Sequence, residues 1–247
     1  GFVKVTGEVG VGKTILCRTL MKAIGKDFVT AYIHNPYIKP DSLFFAIADA
    51  LSVKYSDGIS QHVLMKLITR ALLDTHRKGK KVVVCLDEVQ AMPVQTLESL
   101  RLLTNLETEK RKLLQVVLFG QPELDTLLDQ PSVRQLKQRI TFSYRLLPLN
   151  KVAMSTYIGH RLQVAGCLNN NLFTRRAYEQ IYKNSNGIPR LINILCHKAL
   201  LCAYGEGKTR VTHKHVKLAA MDIEHTKIHH VSLFASLMPV ISRWLFD

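Results

Sequence analysis

Gly7-Glu8-Val9-Gly10-Val11-Gly12-Lys13-Thr14 fits the pattern G-x-x-x-x-G-K-S/T, and its surroundings decide how the 247-residue chain is read. Before it, Phe2–Thr6 is a short apolar run of strand type. Directly after it, a helical pattern runs from Lys13 to about Ile24. Strand, glycine turn and helix are the context in which this pattern forms a phosphate-binding loop. Glycines let backbone N–H groups close around phosphate oxygens, and the helix start adds a field that favours anions. Gly7, Glu8, Val9, Gly10, Val11, Gly12, Lys13, Thr14 and the adjoining Ile15 are therefore the expected ATP-binding segment. Lys13 is expected to set its charge against the β- and γ-phosphates, and the Thr14 hydroxyl to ligate Mg²⁺.

Outward from this loop, short apolar runs alternate with helical patterns, as in an α/β fold with a largely parallel sheet. Val29–Ile33 is a second strand. A helix follows Pro40–Ser42 with Leu43, Ala46, Ile47 and Leu51 on one face, and another runs from a Ser60 cap to near Gly79. Val82–Leu86 is a continuous apolar run, suited to a central strand buried on both faces, and Leu113–Phe119 is the next buried strand. Between them, Pro93 can open a helix bearing Leu97, Leu100, Leu103 and Leu106. Ile140, Phe142, Tyr144 and Leu146 alternate, which predicts a half-buried last strand. After Asn150 only helices are expected: Val152–Ala165, Thr174–Lys183, Pro189–Tyr204 and a short one capped by Thr212.

The predicted organisation is a P-loop domain over residues 1–148, a parallel sheet flanked by helices. A small all-helical lid follows over 149–225, then a tail over 226–247. In the tail, Phe234, Leu237, Ile241, Trp244 and Leu245 share one helical face kinked at Pro239, fit for a membrane interface, a partner or the lid.

Composition narrows the function class. At 47% hydrophobic and 21% charged, the chain can build a sizeable core, which excludes wholesale disorder. Its +15 net charge, from 34 Lys+Arg against 19 Asp+Glu, favours an anionic partner such as a nucleotide, a nucleic acid or an acidic membrane surface. Five scattered cysteines without a C-x-x-C pair argue for a reducing cytosol over a disulfide-stapled protein. The C-terminal histidines lack the spacing and companions of a tetrahedral metal site. The chain opens on an apolar strand without Met, and its N-terminus is expected to lie further upstream.

Further candidates follow the strands. Val82-Val83-Val84-Cys85-Leu86-Asp87-Glu88 ends a buried strand on two acids, where open α/β sheets place their ligands. Two adjacent buried carboxylates are costly unless a cation or substrate engages them. Asp87 is expected to hold Mg²⁺ and Glu88 to orient and polarise the attacking water. Gln121, after the next buried strand, is placed either to touch the γ-phosphate or simply to precede a helix opened by Pro122. Arg134 and Arg139 precede the last strand, from which an Arg can reach a neighbouring subunit's nucleotide, although most arginines are only solvated. Arg190 opens a helix against its macrodipole, which leaves phosphate contact as its explanation.

In this order the residues resemble the AAA+ ATPases of the ExeA/GspA group, which serve type II secretion and pilus assembly. The closest stretches are Gly1–Arg18, Leu100–Thr108, Leu118–Leu124 and Arg134–Arg145 with Leu147-Pro148-Leu149, within a likeness spanning residues 1–225. Inside the group the chain resembles the ATPases of mannose-sensitive haemagglutinin (MSHA) type IV pilus biogenesis. The resemblance implies ATP and Mg²⁺ as ligands, with Gly7, Gly12, Lys13 and Thr14 as Walker A and Asp87 and Glu88 as Walker B. Gln121 falls at the first sensor position and Arg190 at the second. Arg139 is the preferred arginine finger and Arg134 the reserve. The resemblance also implies self-association as a ring or dimer with shared sites, pilus or secretion assembly proteins as partners, and a cytoplasmic location peripheral to the inner membrane. The family's adenine-clamping segment upstream of the first strand has no counterpart here, which predicts weakened nucleotide affinity. The alternative is an ATP-dependent DNA-binding helper resembling transposition ATPases, motivated by the positive charge.

Overall fold

Five runs rich in Val, Ile, Leu and Phe become β1 (Phe2–Gly7), β2 (Phe28–Ile33), β3 (Lys81–Leu86), β4 (Leu114–Gly120) and β5 (Ile140–Leu146). The computed structural model of the chain describes residues 1–34, 39–104, 113–167 and 171–228. The strands form one sheet in the order β2-β3-β4-β1-β5, and every pairing is parallel. Parallel neighbours need crossover connections, which helices supply. These are α1 (Lys13–Ala23), α2 (Pro40–Ala50), α3 (Gln61–Arg77), α4 (Val94–Thr104), α5 (Glu123–Leu128) and α6 (Arg134–Arg139).

The continuous apolar runs have a direct cause. Along β3, Val82, Val84 and Leu86 enter the larger core with Leu43, Ile47, Leu64, Ile68, Leu97 and Leu100 of α2, α3 and α4. Val83 and Cys85 point to the opposite face, into a smaller core with Val5, Cys17 of α1, Val117 and Phe119. A strand buried on both faces has no polar side to alternate with. Helix starts follow the expected chemistry: the Ser60 side chain accepts from the backbone N–H of Val63 at 3.5 Å, opening α3.

β1 lies between β4 and β5, and β4 in turn pairs with β3. The three strands β3, β4 and β1 thus end side by side at Leu86, Gly120 and Gly7, and the residues just past those ends form the site.

One expectation changes on the chain's first unit, Gly1–Leu147. The last strand is not half-buried: Phe142 is 68% and Tyr144 60% exposed. β5 is an edge strand paired only with β1, and no described helix of this unit covers its outer positions. The segment before it folds into the short helices α5, which follows Pro122 as the second reading of Gln121 has it, and α6, each under two turns long.

The second unit, Pro148–Asp247, has described helices α7 (Lys151–Val164), α8 (Arg175–Ser185), α9 (Pro189–Gly205) and α10 (His213–Ile228). Met154, Ile158, Ala177, Ile181, Ile192, Leu195, Ala199 and Val216 form its core. Asn150 and Thr174 cap α7 and α8 by accepting from the N–H groups of Ala153 and Ala177. α10, expected to be short, spans 16 residues. The predicted amphipathic face at Phe234–Leu245 lies outside the described residues. Among the described residues, no helix is long and apolar enough to cross a membrane.

Candidate nucleotide site

Between Gly7, which ends β1, and Lys13, which opens α1, the backbone turns through two left-handed positions, Gly10 at φ 82° and Gly12 at φ 107°. Such positions suit glycine because it has no Cβ to clash. Gly7 is needed for a different reason: a Cβ there would lie 2.8 Å from the Leu146 carbonyl oxygen of β5. The loop therefore wraps closely onto the sheet's end.

Lys13 is buried and its Nζ donates to the loop's own carbonyls, Gly7 at 2.8 Å and Glu8 at 3.1 Å. Burial pulls its pKa below the ordinary lysine value, opposed by the negative charges of Glu88, Asp87 and Glu8. A partly desolvated ammonium surrounded by glycine backbone is suited to phosphate oxygens. Val9 and Ile15 are exposed at 52% and 71%. Glu8, also exposed, faces Arg145 at 4.0 Å.

The Thr14 hydroxyl donates to Asp87 Oδ2 at 2.8 Å, across 73 residues of sequence. Asp87 is completely buried, and its Oδ1 accepts from the N–H of Glu88 at 3.0 Å. A hydroxyl and a carboxylate at the end of a phosphate loop form a hard-oxygen donor set, which fits Mg²⁺. Tyr32, near the end of β2, donates to Asp87 Oδ2 at 3.0 Å, the third hydrogen bond to this carboxylate. Burial, followed by the charge of Asp87, pushes the Tyr32 pKa up to about 12. The same hydroxyl lies 3.1 Å from His34 Nδ1.

Glu88 sits in the left-handed region at φ 53°, ψ 37°, a conformation that costs a non-glycine residue roughly 1–2 kcal/mol. This turn separates the two acids: Asp87 stays beside Thr14 while Glu88 faces the end of β4. Glu88 Oε2 accepts from Gln121 Nε2 at 3.1 Å and from Gln90 Nε2 at 2.7 Å. Gln90 Oε1 in turn accepts from the backbone N–H of Gln121 at 2.9 Å.

The structure thus brings together the phosphate loop, Asp87, Glu88 and Gln121. Arg134 and Arg139 are the first and last residues of α6, both exposed. Among the described residues, neither makes a hydrogen bond or ion pair with the loop or with the two acids. Arg190 is an exposed residue in the first turn of α9, in the second unit.

Sequence reasoning missed Tyr32 and Gln90. Tyr32 was detectable only from sheet register, because it pairs with Cys85, two residues before Asp87. Gln90 lies in a single 3-10 turn, Val89–Ala91, which has no periodicity to mark it.

The chain is 45% identical over 223 residues to general secretion pathway protein A of Aeromonas hydrophila, and the match takes in 90% of the chain. It spans 41% of that relative's length. Solved structures with a similar fold include the Aeropyrum pernix ORC2 protein, at TM-score 0.64 and 17% identity over 89% of this chain and 61% of that one. The Thermotoga maritima RuvB Holliday junction branch migration motor is similar at TM-score 0.61 and 17% identity, over 90% and 61%. The model of the AAA domain family matches residues 1–128, the stretch that carries the phosphate loop, both acids and Gln121, and the chain belongs to that family.

Proposed function

We propose that the chain binds ATP with Mg²⁺ and hydrolyses it to ADP and phosphate, in support of the assembly of a type IV pilus or type II secretion machinery. The observation that carries this reading is the single cluster in which Thr14 and Asp87 share a hydrogen bond while Glu88 is separately held next to them.

Lys13 and the N–H groups of the loop bind the β- and γ-phosphates, and Thr14 with Asp87 would hold Mg²⁺, which neutralises phosphate charge when bound. Glu88 accepts a proton from the attacking water. Gln121, with one amide hydrogen given to Glu88, keeps its second for the γ-phosphate or that water. Arg139, exposed at the end of α6, is the preferred finger reaching a neighbouring subunit's nucleotide, with Arg134 in reserve. This role requires a ring or dimer with shared sites. Arg190 couples the nucleotide to movement of the helical unit.

The identity to general secretion pathway protein A supports a role in secretion. Within the wider group, the sequence resemblance to the MSHA pilus ATPase MshM favours pilus assembly. Pilus or secretion proteins would then be the partners, met at the cytoplasmic face of the inner membrane.

The test is steady-state ATP hydrolysis and nucleotide binding by the full chain and by Glu88→Gln. The expected result is binding within a few-fold of the parent and turnover lowered about a hundredfold or more. A parent that does not hydrolyse ATP, or a Glu88→Gln chain that turns over as fast as the parent, would overturn the reading. The +15 charge favours a second reading, an ATP-dependent DNA-binding helper.

A further inference from the structure

We infer that Gln90 is a positioning residue for hydrolysis, which fixes the Glu88 carboxylate so that one chosen oxygen faces the attacking water. The inference rests on the ATP hydrolysis proposed above.

The orientation of the Gln90 amide is forced by its neighbours. A backbone N–H can only donate, so the group facing Gln121 N at 2.9 Å must be the amide oxygen. An ionised carboxylate can only accept, so the group facing Glu88 at 2.7 Å must be the amide nitrogen. Both ends of Gln90 are thereby committed, one to the β4 end and the other to Glu88. Gln121 adds its own Nε2 to the same carboxylate oxygen, Oε2, at 3.1 Å.

Two donors on Oε2 leave Oε1 as the oxygen to which no described residue donates. A carboxylate held this way presents one free acceptor in one direction, which is what proton abstraction from a placed water requires. Gln90 and Gln121 therefore divide the work. Each amide gives one of its two hydrogens to Glu88; what distinguishes Gln90 is that its oxygen also holds the Gln121 backbone, so that it ties Glu88 to the end of β4.

The surroundings hold Gln90 firmly. Its turn is closed by Ala91 N–H to Glu88 O at 3.0 Å and Met92 N–H to Val89 O at 3.1 Å, with Val89 and Met92 buried. Gly120, directly before Gln121, leaves the space that the amide occupies. A Cβ at Gly120 would stand 3.2 Å from Gln90 Oε1, and 2.8 Å from Cδ2 of the fully buried Leu124.

The test is a kcat and KM comparison for the full chain, Gln90→Glu and Gln90→Met, with thermal midpoints measured alongside. Gln90→Glu is isosteric and keeps an acceptor for Gln121 N–H, but turns an oxygen toward Glu88 in place of the donor. Gln90→Met keeps length without charge, so any effect of added negative charge separates from loss of the bond. The expected result for both is kcat lowered about tenfold to a hundredfold, with the KM for ATP and nucleotide affinity within about twofold of the parent. Gly120→Ala is expected to follow the same split by displacing the amide. An active parent whose Gln90 variants keep kcat within about twofold, or lose ATP affinity in step with kcat, overturns this inference and leaves the proposed function standing. An inactive parent overturns both.

Discussion

Gly187 occupies a place in the second unit that no other residue fits. Its φ is +76°, and a Cβ there would lie 1.9 Å from the Leu149 carbonyl oxygen. The two backbones are in direct contact, with Leu149 N–H donating to Gly187 O at 2.9 Å. Strained φ alone costs roughly 1–2 kcal/mol, and a clash with backbone cannot be relieved by turning a side chain. Gly187→Ala is therefore expected to destabilise this unit by about 3 kcal/mol or more. Near-ultraviolet circular dichroism through a thermal melt checks this, since Tyr157, Tyr178, Tyr182 and Tyr204 all lie in the unit. A midpoint within two degrees or so of the parent would contradict it. The same position shows what was legible at this scale. The sequence marks Gly187-Ile188-Pro189-Arg190 as the start of a helix, but the reason for the glycine is a partner 38 residues away, which no local pattern reveals. Likewise Lys13, Thr14, Asp87 and Glu88 are readable because their spacing and strand context are chemical requirements. Gln90 and Tyr32 are not, because they act through tertiary hydrogen bonds.

Among elements, β5 carries the clearest departure from its pattern. Alternation in Ile140, Phe142, Tyr144 and Leu146 correctly marks a strand, yet alternation promises one covered face. No described helix of this unit covers that face, and Phe142 and Tyr144 stand mostly in water. An exposed aromatic contributes little to stability and offers an edge to other chains. Phe142→Thr with Tyr144→Thr keeps β-branched residues in the strand and is expected to shift unfolding free energy by no more than about 0.5 kcal/mol per site. Soluble yield should rise. Urea unfolding at unchanged slope reads the first quantity. A loss above about 2 kcal/mol in the double variant would mean that this face is covered in solution. The central strands were legible for the opposite reason. From Val82 to Leu86 in β3 and from Val116 to Phe119 in β4 the chain is apolar without interruption because both faces are buried, and that pattern identifies a parallel sheet before any pairing is known. The brief helices α5 and α6 show no period, because six residues are under two turns, and only Pro122 marks the start of α5.

Among the described residues the two units have separate cores with no shared residue, whereas net charge is a property of the chain as a whole. The +15 balance has two possible meanings. A positive field spread over the surface attracts any polyanion, and its affinity follows the release of counterions from nucleic acid. A built DNA site belonging to an ATP-dependent helper would instead open or close with nucleotide. The two differ in salt and in ATP dependence. If the field neutralises about five phosphates, doubling salt from physiological strength lowers binding roughly twentyfold, with or without ATP. Measured by fluorescence anisotropy on a labelled duplex with the full chain, the expected outcome is weak binding, equal with and without ATP, that disappears at the doubled salt. That result assigns the charge to a nonspecific field and leaves the secretion and pilus reading in front. Binding that appears only with ATP and survives physiological salt would mean that the phosphate loop controls a DNA contact, and the helper reading would take its place.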